Sequence, residues 1–115
     1  MAQSINDSYA VTGFYSDATG VHHGFVRAAN GAITAFDAPG AGTAAGLGTY
    51  DFSINAAGTI AGYYTNGDSV FHGFVRAASG AITTFDAPGA GTGSFQGTSA
   101  VSINAAGVIM GTTLT

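Results

Sequence analysis

Two histidines, His23 and His72, are the residues of this sequence best suited to chemistry, because they lie at matching places in two nearly identical stretches. Imidazole titrates close to neutral pH and binds metal ions, so histidines repeated around a symmetric assembly could hold a ligand or a metal. His22 adds a neighbour that is not repeated, since Phe71 stands at its counterpart. One repeated histidine without a carboxylate at metal-ligand spacing favours a structural role, with hydrogen bonds to a loop or to the end of the following strand. We therefore predict no metal site.

The two arginines and two of the aspartates are also repeated. Arg27 matches Arg76, and Asp37 matches Asp86. An arginine packed between structural units usually needs an anion, so we expect these charges to form pairs between neighbouring units, with ligand binding as the alternative. The candidate ligand-binding residues are His23, His72, Arg27, Arg76, Asp37 and Asp86.

The sequence offers no convincing catalytic or cofactor site. Gly40 to Gly46 superficially resembles a dinucleotide-binding glycine pattern, but no helix follows to receive the phosphates, so a connector is the better interpretation. Serine, histidine and aspartate are all present, yet their spacing brings together no nucleophile, base and orienting group. We expect a non-enzymatic protein without catalytic residues or cofactors.

The composition excludes several classes of partner. The chain has 115 residues, and its two arginines and six aspartates give a net charge of −4. Such a chain cannot present the basic surface that nucleic acids and anionic membranes attract. It has no cysteine, which excludes a disulfide framework. Residues 1–15 lack the basic start and apolar stretch of a signal peptide, and no apolar run is long enough to cross a bilayer.

A repeat of 49 residues organises the whole chain. Ser4-Ile5-Asn6 recurs at Ser53 and at Ser102, and residues 22–43 differ from residues 71–92 at only three positions. The boundaries are 1–48 for the first repeat, 49–97 for the second and 98–115 for a partial third. Near-identity of this degree indicates recent duplication or deliberate design, and a designed or excised fragment need have no evolved ligand.

Each repeat carries the signals of four short β-strands. We label them A (Ser99–Asn104), B (Val108–Thr113), C (Phe71–Ala78) and D (Ala81–Ala87). A four-stranded unit of this length is typical of a β-propeller blade. The predicted fold is therefore all-β, with two blades and part of a third in each chain.

The C and D strands are predicted to form hairpins around two-residue turns at Asn30-Gly31 and Ser79-Gly80. That register sets Arg27 opposite Thr34, so no arginine faces an aspartate within one hairpin. It also sets Phe25 opposite Phe36 and Phe74 opposite Phe85. We expect these rings to form the core between blades.

These strands resemble the repeats of bacterial HAF-type proteins, a predicted extracellular family. The resemblance lies in Ser53 to Gly62, in His72-Gly73-Phe74 and in Thr84 to Ala90, and it extends over essentially the whole chain. Gly24 and Gly73 stand where the family has alanine. The resemblance implies a propeller fold and an extracellular location, and says little about biochemical role.

Two blades are too few for a closed propeller, which has about four to eight. We expect copies of the chain to close a ring head to tail, three copies being favoured and two or four being alternatives. Strand A at Ser99–Asn104 of one copy would complete the B-C-D set of the next, and residues 108–115 would then compete with Ala10 to Tyr15. The predicted function is self-assembly.

The alternative is a multivalent carbohydrate-binding propeller. Identical weak sites repeated around a ring gain strength through avidity. Some of the tyrosines could then stack on sugars: Tyr9, Tyr15, Tyr50, Tyr63 and Tyr64.

Overall fold

The computed structural model describes residues 2–114, which form ten β-strands joined by turns and contain no helix. The described residues therefore include no helix that could cross a membrane. The strands form one sheet curled into a half-barrel. They are β1 (Ala2–Ile5), β2 (Val11–Ser16), β3 (His22–Arg27), β4 (Ile33–Phe36), β5 (Gly48–Ile54), β6 (Ile60–Thr65), β7 (Phe71–Arg76), β8 (Ile82–Phe85), β9 (Gly97–Ile103) and β10 (Ile109–Leu114).

The strands follow the sequence repeat. Strands β1–β4 form a first unit, β5–β8 a second and β9–β10 an incomplete third. Within a unit each strand pairs antiparallel with the next. Between units the sheet continues through one parallel bridge, from His22 to Gly48 and from Phe71 to Gly97. The predicted A-B-C-D order of strands is thus confirmed within each unit.

Glycine is required where the units join. Gly48 and Gly97 have φ angles of 127° and 131°, in the region that side-chain-bearing residues rarely adopt. A Cβ atom at either position would also overlap the carbonyl oxygen of its bridge partner, His22 or Phe71. The predicted strand A, Ser99–Asn104, begins earlier than expected, because strand β9 already includes Gly97.

The hydrophobic core lies between the first and second units. Its buried members are Ile54, Ile60, Tyr64 and Phe74 from the second unit and Ala38 from the first. Phe74 is fully buried, and its ring centroid lies 6.2 Å from that of Phe36. Packing between units thus contributes to the apolar core, as in other repeat proteins.

An asparagine ladder links the units along one line. Asn6 Nδ2 donates to the Asn55 carbonyl over 3.0 Å, and Asn55 Nδ2 donates to the Asn104 carbonyl over 3.2 Å. The Oδ1 atom of Asn55 meanwhile accepts from the amides of Ala57 and Thr59. The Ser-Ile-Asn repeat is therefore explained: its asparagine closes its own turn and bonds the next unit.

The predicted hairpin register is wrong by one residue. Arg27 pairs with Ile33 instead of Thr34, because the loop Ala29–Gly31 has three residues. Gly31 has a φ of 92°, which is the left-handed conformation that closes such three-residue loops. The second hairpin repeats this geometry, so that strands C and D are shorter than predicted.

The expected aromatic pairs change with the register. Phe36 lies opposite Gly24, and Phe85 lies opposite Gly73 with its ring over that glycine. The ring contact that forms joins different units, from Phe36 to Phe74. The prediction of a phenylalanine core between units is therefore right for these two rings, although the cross-strand partners were wrong.

Candidate functional site

His23 is held between two carboxylates. Its Nε2 lies 2.8 Å from Asp17 Oδ2 and its Nδ1 lies 2.6 Å from Asp37 Oδ1. Asp17 belongs to the turn between β2 and β3, and Asp37 follows β4, so the hairpin brings both acids to the start of β3. The hydrogen bond to Asp17, and then that to Asp37, raises the pKa of His23, while His23 and Thr19 hold the pKa of Asp17 far below its usual range.

His72 has only one carboxylate partner. Its Nδ1 lies 2.6 Å from Asp86 Oδ1, but its Nε2 lies 3.1 Å from Asn66 Nδ2. The Asn66 amide donates to Nε2, which leaves Nδ1 to donate to Asp86. Asn66 stands where the first unit has Asp17, so the two histidine sites share a plan and differ in one charged group.

These histidines are engaged in fixing the hairpins. Both ring nitrogens of His23 and of His72 already have hydrogen-bond partners. No group of three or more potential metal ligands occurs within residues 2–114. Ser16 Oγ lies 2.9 Å from His22 Nδ1, yet His22 has no carboxylate hydrogen bond in the described chain, so a nucleophile, base and acid are not assembled.

The expected arginine–aspartate pairs are absent from residues 2–114. No arginine there lies within 4.0 Å of a carboxylate, and Asp37 and Asp86 are hydrogen-bonded to the histidines. The Arg76 guanidinium carbon lies instead 4.8 Å from the Phe36 ring centre, a cation–π contact between units. Arg27 is exposed and has no such ring contact within residues 2–114.

Asp51 is a buried acid that spacing alone did not reveal. Its side chain has no exposed surface, and its Oδ2 accepts a hydrogen bond of 3.0 Å from Thr12 Oγ1. The carboxylate lies against Gly24, filling the space where a Cβ would be, and Oδ1 has no hydrogen-bond partner within the described chain. Burial raises the pKa of Asp51 to about 8, against the opposing hydrogen bond from Thr12.

A break in the repeat could have identified this acid. Asp51 corresponds to Ala100 of the third unit, and Thr12 corresponds to Ala61 of the second. The two polar residues therefore occur together at the first unit-to-unit interface, where the second interface has two alanines. Departures from an otherwise faithful repeat were the available signal.

Six rings form an aromatic cluster on the sheet. Tyr50 and Tyr63 stack with their centroids 5.0 Å apart, and Phe52 stacks on Tyr63 at 5.3 Å. Each ring is half-buried, and burial raises the pKa of Tyr50 and Tyr63. The members are Phe14, His22, Tyr50, Phe52, Tyr63 and Phe71.

No family model, no curated protein and no solved structure matches this chain. Its function must therefore be argued from its own residues. Of the six candidate ligand-binding residues, the structure brings together His23 with Asp37 and His72 with Asp86, and it places the arginines elsewhere.

The bridge from Asp17 through His23 to Asp37 should depend on pH. A histidine with a raised pKa stabilises the fold below its ordinary value of 6.5, and this contribution is lost as the pH rises through the folded-state pKa. An aspartate with a lowered pKa contributes above its ordinary value of 3.8 and loses the contribution as the pH falls. The bridge is therefore most stabilising between these two values.

We expect Asp17→Asn, which gives the first unit the residue of the second, to lower the pKa of His23 measured by NMR titration. Asp7→Asn, which removes an exposed carboxylate elsewhere, is the matched control and should leave that pKa unchanged. An unchanged His23 pKa in Asp17→Asn would contradict the bridge.

Asp51 should make the fold less stable in alkali. Its carboxyl group is protonated in the folded chain at pH 6 and ionises more readily on unfolding, so stability falls as the pH rises toward about 8. At one pKa unit per 1.36 kcal/mol, the free energy of unfolding should drop by about 3 kcal/mol between pH 6 and 9.

Asp51→Asn keeps the shape and cannot ionise, so it should remove most of this drop in urea unfolding at the two pH values. Asp68→Asn, at an exposed turn, should leave it in place. A wild-type chain whose stability is the same at both pH values would show that Asp51 ionises normally.

Proposed function

We propose that this chain is a non-enzymatic repeat module whose copies assemble head to tail into a closed β-propeller. Each copy would contribute two blades, and the assembly would resemble HAF-type repeat proteins in an extracellular setting. The antiparallel order of β5–β8 supports the interpretation of each unit as a blade.

The observation that carries the proposal is the complementarity of the two end surfaces. The first interface joins the β4 side of the first unit to the Phe74 side of the second. At one end of the chain the second unit presents the same β4-type side through β8. At the other end the first unit presents the same Phe74-type side through Phe25. Two copies can therefore repeat between them the interface that each already contains.

The asparagine ladder also supports the assembly of copies. Asn6 and Asn55 each donate to the next asparagine along the ladder, but the Asn104 amide has no acceptor in the part of the chain that is described. Asn104 holds the same repeat position as Asn6. In a second copy its natural acceptor would be the Asn55 carbonyl, which Asn6 occupies within one chain.

Strand β9 is better suited than β1 to serve as the A strand of that shared blade. It has seven residues against four, and it buries Gly97, Thr98, Ala100 and Ile103. The end residues of β1, Ala2 and Ile5, are exposed. Assembly would therefore exchange a short, exposed strand for a longer one that is already packed on the second unit.

Three copies, giving six blades, are the assembly we favour, since six lies within the range of about four to eight blades in closed propellers. Two copies would give four blades and four copies would give eight. A closed ring also removes the exposed strand edges that would otherwise invite unlimited association.

The mass in solution tests the proposal. Light scattering behind a sizing column should give one species at two, three or four times 11.3 kDa across a tenfold range of concentration. A continuous series of ever larger species, in place of one species, would indicate an open filament. A monomer at tens of micromolar would refute self-assembly.

Carbohydrate binding is the second candidate, and the aromatic cluster is the observation that favours it. Half-buried tyrosine and phenylalanine rings that stack on one another offer an apolar face with polar edges, the chemistry that sugar rings stack on. The cluster is not repeated in the third unit, where Ser99 and Val101 replace Tyr50 and Phe52. A ring of identical chains would nevertheless carry one cluster per copy.

Mixed oligosaccharides titrated into labelled protein should then shift the Tyr50 and Tyr63 ring signals in NMR spectra. Tyr63→Ala should abolish the shifts, while Tyr9→Ala, at an exposed turn outside the cluster, should not. Ring signals that do not respond to any oligosaccharide would leave the cluster a packing feature only.

A further inference from the structure

An open cavity of about 250 Å³ lies at the second unit-to-unit interface. Phe85 and Ala87 of the second unit form one side. Strands β9 and β10 form the other, through Thr98, Ala100, Ile109 and Gly111. An apolar cavity of only about 150 Å³ is enough to bind benzene, so this space can hold a phenyl ring.

At the first interface the corresponding space is filled. The residues 49 positions earlier than the cavity lining include Phe36, Ala38, Ile60 and Gly62. Phe74 packs against all four: it shares the buried core with Ala38 and Ile60, its ring contacts Phe36, and a Cβ at Gly62 would lie 2.9 Å from its Cε1. The cavity is therefore the empty counterpart of the Phe74 site.

The ring that would fill it is present elsewhere in the sequence. Phe25 precedes Phe74 by 49 residues and so holds the same position in the repeat. Phe25 is only half-buried in its own chain, and Phe74 is fully buried. We propose that Phe25 of a second copy of this chain enters the cavity between Phe85, Ala87 and strand β9, an inference that rests on the self-assembly proposed above.

The arginine that lies two residues after each of these phenylalanines is expected to make a repeated contact as well. Arg76 covers the ring of Phe36 across the first interface. When Phe25 of a second copy occupies the cavity, Arg27 of that copy lies over Phe85 in the same way. The exposed Arg27 thereby gains a partner, and two residues of the second copy, Phe25 and Arg27, form the contact.

Strand β10 gives way to β2 of the second copy. Residues 110–113 of β10 are exposed. Thr12 and Gly13 of β2, which correspond to Met110 and Gly111, are buried. Thr12 is moreover bonded to Asp51, and the Phe14 ring lies 5.1 Å from that of Tyr50, so β2 is firmly packed on its own second unit. Strand β2 carries the same repeat positions as β10, so Val11 and Gly13 of the second copy would take the places of Ile109 and Gly111 in the lining.

Ala87→Leu tests the joint by filling the cavity from the chain's own side. We expect this variant to keep the secondary structure of the wild type, and its dissociation constant in sedimentation velocity to rise at least tenfold. Ala106→Leu, at an exposed turn, is the control and should associate as the wild type does. Unchanged association of Ala87→Leu would overturn the Phe25 contact.

The wild-type chain provides an independent measurement. A chain labelled in its alanine methyl groups, unfolded and refolded with unlabelled chain, should show an intermolecular nuclear Overhauser effect from the Ala87 methyl to a phenylalanine ring. The matching effect within one uniformly labelled chain, from Ala38 to Phe74, is the internal reference. An oligomer without the Ala87 effect would overturn this contact and leave self-assembly standing, whereas a wild-type monomer would overturn both.

Discussion

The burial of Phe74 between two units is the contact on which the rest of the structure depends. The buried cluster joins Ala38 of the first unit to four residues of the second, Phe74 among them. Truncating a buried phenylalanine typically costs about 3–5 kcal/mol, against a total stability of about 5–15 kcal/mol for a small domain. In the proposed assembly, the same contact would be repeated between neighbouring copies of the chain.

The two copies of the repeat are not chemically equal. The first interface carries the buried pair of Thr12 and Asp51, where the second has alanines, and the first histidine has the additional acid Asp17. A buried carboxyl group with a raised pKa is a cost to stability at alkaline pH that an alanine would avoid. The polar pair therefore distinguishes the interface inside the chain from the one proposed between chains.

The sequence predicted the strands well and their register less well. The period of 49 and the turn residues identify four strands in each unit, because β-branched runs and glycine-rich turns act locally. The register depends on whether Gly31 adopts a left-handed conformation. That conformation adds one residue to the loop, so the cross-strand partner of Phe36 is Gly24 and not the predicted Phe25. Two features could be recognised only in the folded chain. They are the hydrogen bond of Asp37 to His23 in place of an arginine, and the burial of Asp51. The first depends on partners 14 residues apart across one hairpin, and the second on partners 39 residues apart.

The central claim is that one chain is an incomplete part of a closed assembly. Small-angle X-ray scattering tests it most directly, because it reports both the mass and the distribution of distances. The single chain has a Cα radius of gyration of 13.3 Å. The account predicts a clearly larger radius, a mass of two to four chains and a distance distribution typical of a compact ring. A particle with the mass of one chain and a radius close to 13.3 Å would contradict it.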